Sequence, residues 1–330
     1  MRAPGFWWRE PGAAAALLAP LAAIYGAIVA RRLARAGARA GIPVVCIGDP
    51  TVGGAGKTPT AIAVAELLIA AGRNPMFLTR GYGGSLAGPV LVEPSHAAAE
   101  VGDEPLLLAR IAPTIVARDR VAGARLAQQK GAGFIVMDDG FQNPSLTKDI
   151  SILVIDGARG IGNGRVVPAG PLRAPLGAQL ARAQMLLVLG EATGATPVVA
   201  TAHKREFPLL HATLALDPGA VASLRGKKVL AFAGIGHPEK FFAALAAAGI
   251  DAPIRRAFPD HHRYGAGEAA ALIGQAETNG LQLVTTEKDL ARMHGDANVA
   301  QLAARARAIP VKLANRDEFD RLIRGALAGR

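Results

Sequence analysis

An apolar, largely β-branched run over 42–47 reaches Gly48 and is followed by Thr51-Val52-Gly53-Gly54-Ala55-Gly56-Lys57-Thr58. After Pro59 an amphipathic stretch carrying Ile62, Val64, Leu67 and Leu68 reads as a helix. Strand, glycine loop, Lys-Thr and helix in this order form a phosphate-binding loop. The glycines let backbone N–H groups turn inward around phosphate oxygens, and the helix N-terminus adds partial positive charge. Lys57 is placed to reach β- and γ-phosphates, and the Thr58 hydroxyl to ligate Mg²⁺. Thr51 stands where the first glycine is usual. A glycine turn with no ligand is the competing explanation, but it has no use for a lysine at this point.

The 330 residues accommodate two domains at about 150 residues each. A formal net charge of +11 points to an anionic partner: nucleic acid, anionic lipid or a phosphorylated substrate. A general solubility bias would give the same number. With three Tyr, two Trp and no nucleic-acid module in the sequence, nucleic acid is the least favoured partner. Cys46 is the single cysteine, so no intrachain disulfide exists and a reducing compartment fits. Its place in the strand before the loop makes it a core residue.

No charged side chain lies between Glu10 and Arg31. The segment 13–30 is apolar but rich in alanine and contains Pro20; Phe6, Trp7 and Trp8 precede it, and Arg31, Arg32, Arg35 and Arg39 follow. A membrane anchor is expected, with the aromatics at the interface and the arginines near anionic headgroups on the cytoplasmic side. Its length leaves spanning and in-plane binding both open. A cleaved signal peptide and an internal core helix are the alternatives.

Further apolar runs follow over 76–79, 114–116, 134–137, 151–155 and 185–189, alternating with helical patterns. Such alternation predicts a mostly parallel sheet with helices on both faces and ligands at the carboxyl ends of its strands. The polar signals fall at those ends. Arg80 closes the first run and could hold a phosphate or be an ordinary surface arginine. Asp103 and Glu104 open a helix, where acidic residues also serve as dipole-matching caps. Asp138-Asp139 closes the 134–137 run, as Mg²⁺ coordination in a phosphate-binding-loop protein requires, although Asp-Asp-Gly is also a turn signal. Residues 197–202 and 207–216 read as paired strands leading to a smaller unit with strands over 228–233, 281–284 and 310–313. The expected divisions are a membrane-associated segment 1–40, a nucleotide-binding domain 41–200 and a smaller α/β domain 201–330. Asp260-His261-His262 sits in a loop, where a carboxylate-tuned histidine suits proton transfer better than metal binding; a solvated pair is the remaining explanation.

Taken together these runs resemble the tetraacyldisaccharide 4'-kinase family of lipid A biosynthesis. The resemblance rests on Phe6-Trp7-Trp8, the loop from Thr51 to Pro59, Arg80-Gly81-Tyr82-Gly83, Gly102 to Pro105 and Asp119-Arg120. It continues through Asp138 to Gln142, Pro168 to Arg173, Gly234-Ile235-Gly236, Phe258 to His262 and Thr286 to Asp289. That family also uses threonine or serine at the place of Thr51. Two departures are Ala174, where glutamate is common, and Asn143-Pro144 in place of histidine-arginine. The resemblance implies ATP- and Mg²⁺-dependent phosphorylation of the 4'-hydroxyl of a lipid A disaccharide 1-phosphate, at the cytoplasmic face of a bacterial inner membrane, with no obligate protein partner. It implies a catalytic Asp-His pair, matching Asp103 and His261, with Asp103 expected to accept the proton and His261 to tune it. Asp138, Asp139 and Thr58 would hold Mg²⁺-ATP, Lys57 would stabilise the transferring phosphoryl group, and Arg80, Arg120 and Arg173 would contact substrate. The main rival is a membrane-recruited ATPase without kinase activity. Those proteins carry a lysine where this loop has Val52. A binding protein that keeps its nucleotide leaves Asp103 and His261 unexplained.

Overall fold

The computed structural model describes residues 3–327; the outermost residues of the expected divisions, 1–2 and 328–330, lie outside it. Two sheets carry the chain. The larger has nine strands: β1 (Val44–Gly48), β2 (Pro75–Thr79), β3 (Val90–Leu91), β4 (Thr114–Val116), β5 (Phe134–Asp138), β6 (Ile150–Asp156), β7 (Met185–Leu189), β8 (Leu209–Leu216) and β13 (Val311–Ala314). The smaller has four: β9 (Lys228–Ala233), β10 (Asp251–Ala257), β11 (Gln282–Thr286) and β12 (Arg307–Ile309). The larger sheet runs β13-β8-β7-β6-β1-β5-β2-β4-β3, and the smaller runs β10-β9-β11-β12.

Every pairing from β8 to β4 is parallel; only the edge strands β3 and β13 run antiparallel. The smaller sheet is parallel throughout. This is the expected doubly covered α/β architecture. Strands β1, β2, β5 and β7 are buried at every residue, which is why they read as unbroken apolar runs. The helix Lys57–Ala70 packs Ala61, Val64, Leu67 and Leu68 on one face of the larger sheet. On the other face, Leu78, Ile115 and Ile135 pack with Val29 and Leu33 of the N-terminal helix.

Two expectations need correction. Residues 197–202 are not a strand: Thr196–Lys204 is a helix with proline in its first turn, burying Val198 and Ala202 one turn apart. Sheet membership also crosses the division at 200/201, because β8 and β13 both belong to the larger sheet. The chain leaves that sheet after Leu216, builds the smaller one, and returns at Val311.

The N-terminal helix Ala13–Leu33 is a single 21-residue element with Pro20 inside it. Ala22, Gly26, Val29 and Leu33 face the protein, and Gly26 lies against Pro175 and Val166, close enough that a Cβ there would sit in van der Waals contact with both. Leu17, Leu21, Ile24 and Ile28 line the opposite, exposed face. Trp7 departs from the expected interfacial role. It is buried, and its indole N–H donates to the Pro168 carbonyl at 3.0 Å.

Candidate active site

The carboxyl ends of both parallel sheets open onto one cleft of about 2050 Å³. From the larger sheet it receives the glycine loop after β1, Arg80 after β2, Arg120 beyond β4 and Asp139 after β5. From the smaller sheet it receives the turns after β9, β10 and β11, including His261, Lys288 and Arg292. Of the sequence-predicted residues, Val52, Gly53, Gly54, Ala55, Gly56, Lys57, Thr58, Arg80, Asp103, Arg120, Asp139, Arg173 and His261 line this cleft. Thr51 and Asp138 lie just beneath it, both buried.

The glycine loop needs its glycines at two points. Gly53 and Gly56 have φ of 137° and 90°, and a Cβ at Gly56 would lie 2.4 Å from Leu189 Cδ1. Thr51 has no positive φ, so a side chain is tolerated where glycine is usual. The segment before the helix Leu176–Leu180 pins the loop's entry. Val52 N donates to the Pro171 carbonyl at 2.8 Å, Arg173 N to the Pro50 carbonyl at 2.8 Å, and Arg173 Nε to the Thr51 carbonyl at 2.9 Å.

Strands β1 and β5 are neighbours with Ile47 opposite Asp138, which brings Thr58 to the strand end. The Thr58 hydroxyl donates to Asp138 Oδ2 at 3.0 Å. Asp138 Oδ1 and Asp139 Oδ1 are buried and have no hydrogen-bond partner. Burial, helped by nearby Glu104 and Asp139, pushes the Asp138 carboxyl up to about 7. Two orphaned carboxylate oxygens beside a hydroxyl suit a hard divalent cation, which would supply the missing ligands and positive charge. The donor set therefore fits Mg²⁺, although among the described residues no group of three or more His, Cys, Asp or Glu side chains gathers at a metal-sized site. Asp139 itself takes φ of 54°, a left-handed conformation costly for a non-glycine residue.

Asp49 was not singled out by the sequence, yet it organises the cations. Its side chain is fully buried; Oδ2 lies 2.6 Å from Lys57 Nζ and Oδ1 lies 3.1 Å from Arg173 Nε. Burial pushes its carboxyl above the ordinary value, with Lys57 and Arg173 pulling against that. Both cations also approach Asp139, at 3.8 and 3.6 Å. Against burial, Asp49 and Asp139 hold the Lys57 ammonium above its ordinary value. Gln142 and Gln179 fix the backbone here by donating to the Asp49 and Pro50 carbonyls at 2.8 and 3.1 Å.

Arg120 is buried at the start of the helix Arg120–Gln129, with Nη1 on the Ala117 carbonyl and Nε without a partner. Among the described residues it forms no ion pair, and burial with Arg80 nearby lowers its pKa. A buried guanidinium aimed into a cleft without a counter-ion suits an anionic group of a ligand. Arg80 is exposed at the cleft wall.

On the far side, Asp103 opens the helix Asp103–Leu108 and is 5% exposed. Its Oδ2 accepts from Arg292 Nη2 at 2.6 Å and lies 3.6 Å from His261 Nδ1. Against burial, these two and Lys288 hold the Asp103 carboxyl well below the carboxylate range. Asp103, opposed by burial, raises the His261 imidazole above its ordinary 6.5. His261 has φ of 55°, and its ring centroid lies 5.3 Å from that of Tyr82. Sequence reading missed Arg292 and Lys288; the latter pairs with Glu104 at 2.6 Å. Their only signal was membership of the Thr286-to-Asp289 motif and its helix. His262 takes no part in the cleft, bonding Glu268 at 2.9 Å and stacking on Phe258.

A family model described as tetraacyldisaccharide-1-P 4'-kinase matches residues 14–328. A tetraacyldisaccharide 4'-kinase of Methylobacterium sp. (strain 4-46) is 57% identical over 330 residues, covering 99% of this chain and 97% of that one. Its counterpart in Nitrobacter winogradskyi is 53% identical over 319 residues, covering 96% and 95%. Among solved structures, LpxK from Aquifex aeolicus, described as an "apo" form in complex with ATP, superposes with a TM-score of 0.68 at 25% identity, covering 94% of this chain and 99% of that one.

Proposed function

The chain belongs to the tetraacyldisaccharide-1-phosphate 4'-kinase family, and on that footing we propose that it transfers the γ-phosphoryl group of ATP to the 4'-hydroxyl of a lipid A disaccharide 1-phosphate. The observation that carries this reading is the meeting of Lys57, Asp139, Asp103 and His261 in one cleft, with Asp138 against Thr58 beneath it. A nucleotide-only protein needs the first set of groups. A kinase also needs a group to take the proton of an alcohol, which is a poor nucleophile while protonated.

The glycine loop and Lys57 bind the triphosphate and meet charge developing on the transferring group. Thr58, Asp138 and Asp139 are the residues that would hold Mg²⁺, which when bound neutralises phosphate charge. The Asp103–His261 pair handles the hydroxyl proton, while Arg80, Arg120 and Arg173 receive anionic groups of the two substrates. We assign the nucleotide to the larger sheet and completion of the acceptor site to the smaller one. The division follows the strands: about 41–216 with 311–327, and 217–310.

The N-terminal helix supports a membrane-bound substrate. Leu17, Leu21, Ile24 and Ile28 form an exposed apolar face, while Tyr25, Val29 and Arg32 border the cleft itself. One face on the protein and the other exposed favours a helix lying in the membrane surface over one that crosses it. Arg31, Arg32, Arg35 and Arg39 are all exposed and would meet anionic headgroups, which supports a site at the cytoplasmic leaflet, where ATP is available. Incubation with γ-labelled ATP and the disaccharide lipid tests the reading. Label on the lipid supports a kinase, release only as free phosphate an ATPase, and neither a nucleotide-holding protein.

A further inference from the structure

Strand β6 ends at Asp156 and the next helix begins at Leu176, so the segment 157–175 is shaped by turns and single bridges. It carries Gly157, Gly160, Gly162, Gly164 and Gly170, a composition that leaves the backbone loose unless outside contacts order it. Its far end nevertheless holds the nucleotide loop. Val52 N donates to the Pro171 carbonyl at 2.8 Å, Leu172 bridges to Thr51, and Arg173 reaches the Thr51 carbonyl and Asp49. A segment that positions another loop must itself be fixed.

The fixing contacts come from the N-terminal turn Gly5–Trp8. Trp7 is 8% exposed; its indole N–H donates to the Pro168 carbonyl at 3.0 Å, and its own carbonyl accepts from Asn163 N at 2.8 Å. Asn163 spreads that hold, with Nδ2 donating to the Ala169 carbonyl at 2.9 Å and Oδ1 accepting from Arg165 N at 3.1 Å. The two backbones meet closely. Gly162 has φ of 56°, and a Cβ there would lie 2.3 Å from the Trp7 carbonyl oxygen. Beside it the Arg159 guanidinium lies over the Trp8 ring at 4.6 Å. Val167 N then donates to the Leu172 carbonyl and Leu172 N to the Arg165 carbonyl, both at 3.0 Å, which closes the turn that presents Pro171 to Val52.

From this geometry we propose that Trp7 is a positioning residue for nucleotide binding: by fixing the turn 163–172 it holds the entry of the glycine loop, and Arg173 beside it, in the arrangement that receives the triphosphate. The proposal deepens the kinase reading and rests on it. Backbone N–H groups stabilise a phosphate only when they are already aimed at it, and a loop ordered in advance loses less conformational freedom on binding. The indole is buried against Pro168, so the role expected of it at the membrane interface passes to other groups.

The test measures Mg²⁺-ATP affinity by titration calorimetry and steady-state lipid phosphorylation in the full chain. It compares wild type, Trp7→Phe, Asn163→Ala, their double variant and Leu272→Ala, a buried position in the core of the smaller sheet. Trp7→Phe keeps a ring and loses the N–H donor. It is expected to weaken Mg²⁺-ATP binding about fivefold, the scale of one lost hydrogen bond, and Asn163→Ala to act in the same direction. The double variant should fall short of the product of the two, because both act through one turn. The KM for lipid at saturating Mg²⁺-ATP and cosedimentation with anionic vesicles should stay within about twofold of wild type, on the same hydrogen-bond scale. Leu272→Ala should lower Tm and leave Mg²⁺-ATP affinity unchanged. In the nucleotide-free protein, hydrogen exchange at the Val52 and Arg173 amides should quicken in Trp7→Phe. Unchanged Mg²⁺-ATP affinity in Trp7→Phe and Asn163→Ala, loss of vesicle binding in its place, or an equal loss of affinity in Leu272→Ala overturns the proposal. Should Trp7→Phe not fold, Asn163→Ala decides. A wild type that binds no Mg²⁺-ATP would sink the kinase reading instead, and the amide exchange would still decide whether Trp7 orders the loop.

Discussion

Asp49 competes with the nucleotide for the cation that the nucleotide needs. Its carboxylate lies 2.6 Å from Lys57 Nζ and 3.1 Å from Arg173 Nε, and Asp139 faces the same two cations. Two positive and two negative charges therefore balance in the resting site. A triphosphate drawing Lys57 to its β- and γ-phosphates must loosen the Asp49 contact, a hydrogen bond between charged groups worth about 1.5–3 kcal/mol. Asp49→Asn keeps the shape and one acceptor oxygen, so roughly the lower end of that range is relieved, and Mg²⁺-ATP is expected to bind about tenfold tighter. The nucleotide-free protein should lose stability, because a fully buried counter-ion has gone. Breaking a buried pair costs about 3–5 kcal/mol, and Asp139 retains part of the pairing, leaving about 2 kcal/mol. Spread over an unfolding entropy of about 2.1 cal/mol/K per residue, this lowers Tm by about 3 °C. Titration calorimetry with Mg²⁺-ATP, paired with melting curves with and without nucleotide, reads both effects. A variant that melts cooperatively yet binds Mg²⁺-ATP equally well or more weakly would refute the competition argument.

Three further outcomes follow from the same geometry. Arg120→Met removes a buried guanidinium that has no ion-pair partner among the described residues and should raise the KM for the lipid tenfold or more with little loss, or a gain, in Tm; Arg120→Lys should recover only part, since a lysine lacks the planar fork. Leu21→Glu with Ile28→Glu places charge on the exposed face of the N-terminal helix and should reduce cosedimentation with anionic vesicles at least tenfold, leaving the melting curve unchanged. Asp103→Asn should cost about 2–3 kcal/mol at neutral pH, less than a fully orphaned arginine because Arg292 keeps Asp289. The folded-state pKa of Asp103 is depressed, so its contribution is present above the ordinary value of 3.8 and fades as pH falls below it. Denaturation midpoints of wild type and Asp103→Asn should therefore converge in acid, and a constant gap down to pH 2 would count against the ion pair.

The larger sheet was legible because its central strands are buried on both faces and so appear as uninterrupted apolar runs, each ending where a polar residue meets the cleft. Strand β10 escaped notice for the opposite reason. Asp251–Ala257 is an edge strand with Pro253 and two arginines, and exposure along one side leaves no apolar run to read. Val198 and Val199 suggested a strand, yet Pro197 in the first turn and the spacing of Val198 to Ala202 fit the helix that forms. Asp49 follows a strand as any turn aspartate would, and nothing local tells that its carboxylate turns inward toward residues 8 and 124 positions away. Arg292 lies three residues after Asp289, a spacing that on an exposed helix face means a weak surface pair. Only the tertiary placement of that helix against Asp103 gives the arginine a second carboxylate.

The chemistry also accounts for why the site is shared between two sheets. Residues that meet phosphate stand on the larger sheet, whose parallel strands deliver a glycine loop and an acidic strand end side by side. The smaller sheet brings up His261, which lies after β10, and Arg292, which lies after β11 and bonds Asp103 of the larger sheet's side. Lys288–Glu104 and Arg292–Asp103 are the ion pairs that tie the two sides together at this point. The groups that would bind a nucleotide thus stand apart, in the chain, from the His261 and Arg292 that complete the pair around Asp103. Lys288→Ala with Arg292→Ala removes both ion pairs and loosens the smaller sheet's hold on Asp103, while Lys240–Asp156 still joins the two sides and the nucleotide groups stay in place. Transfer to the sugar then falls while ATP still binds, because the two functions are carried on different strands.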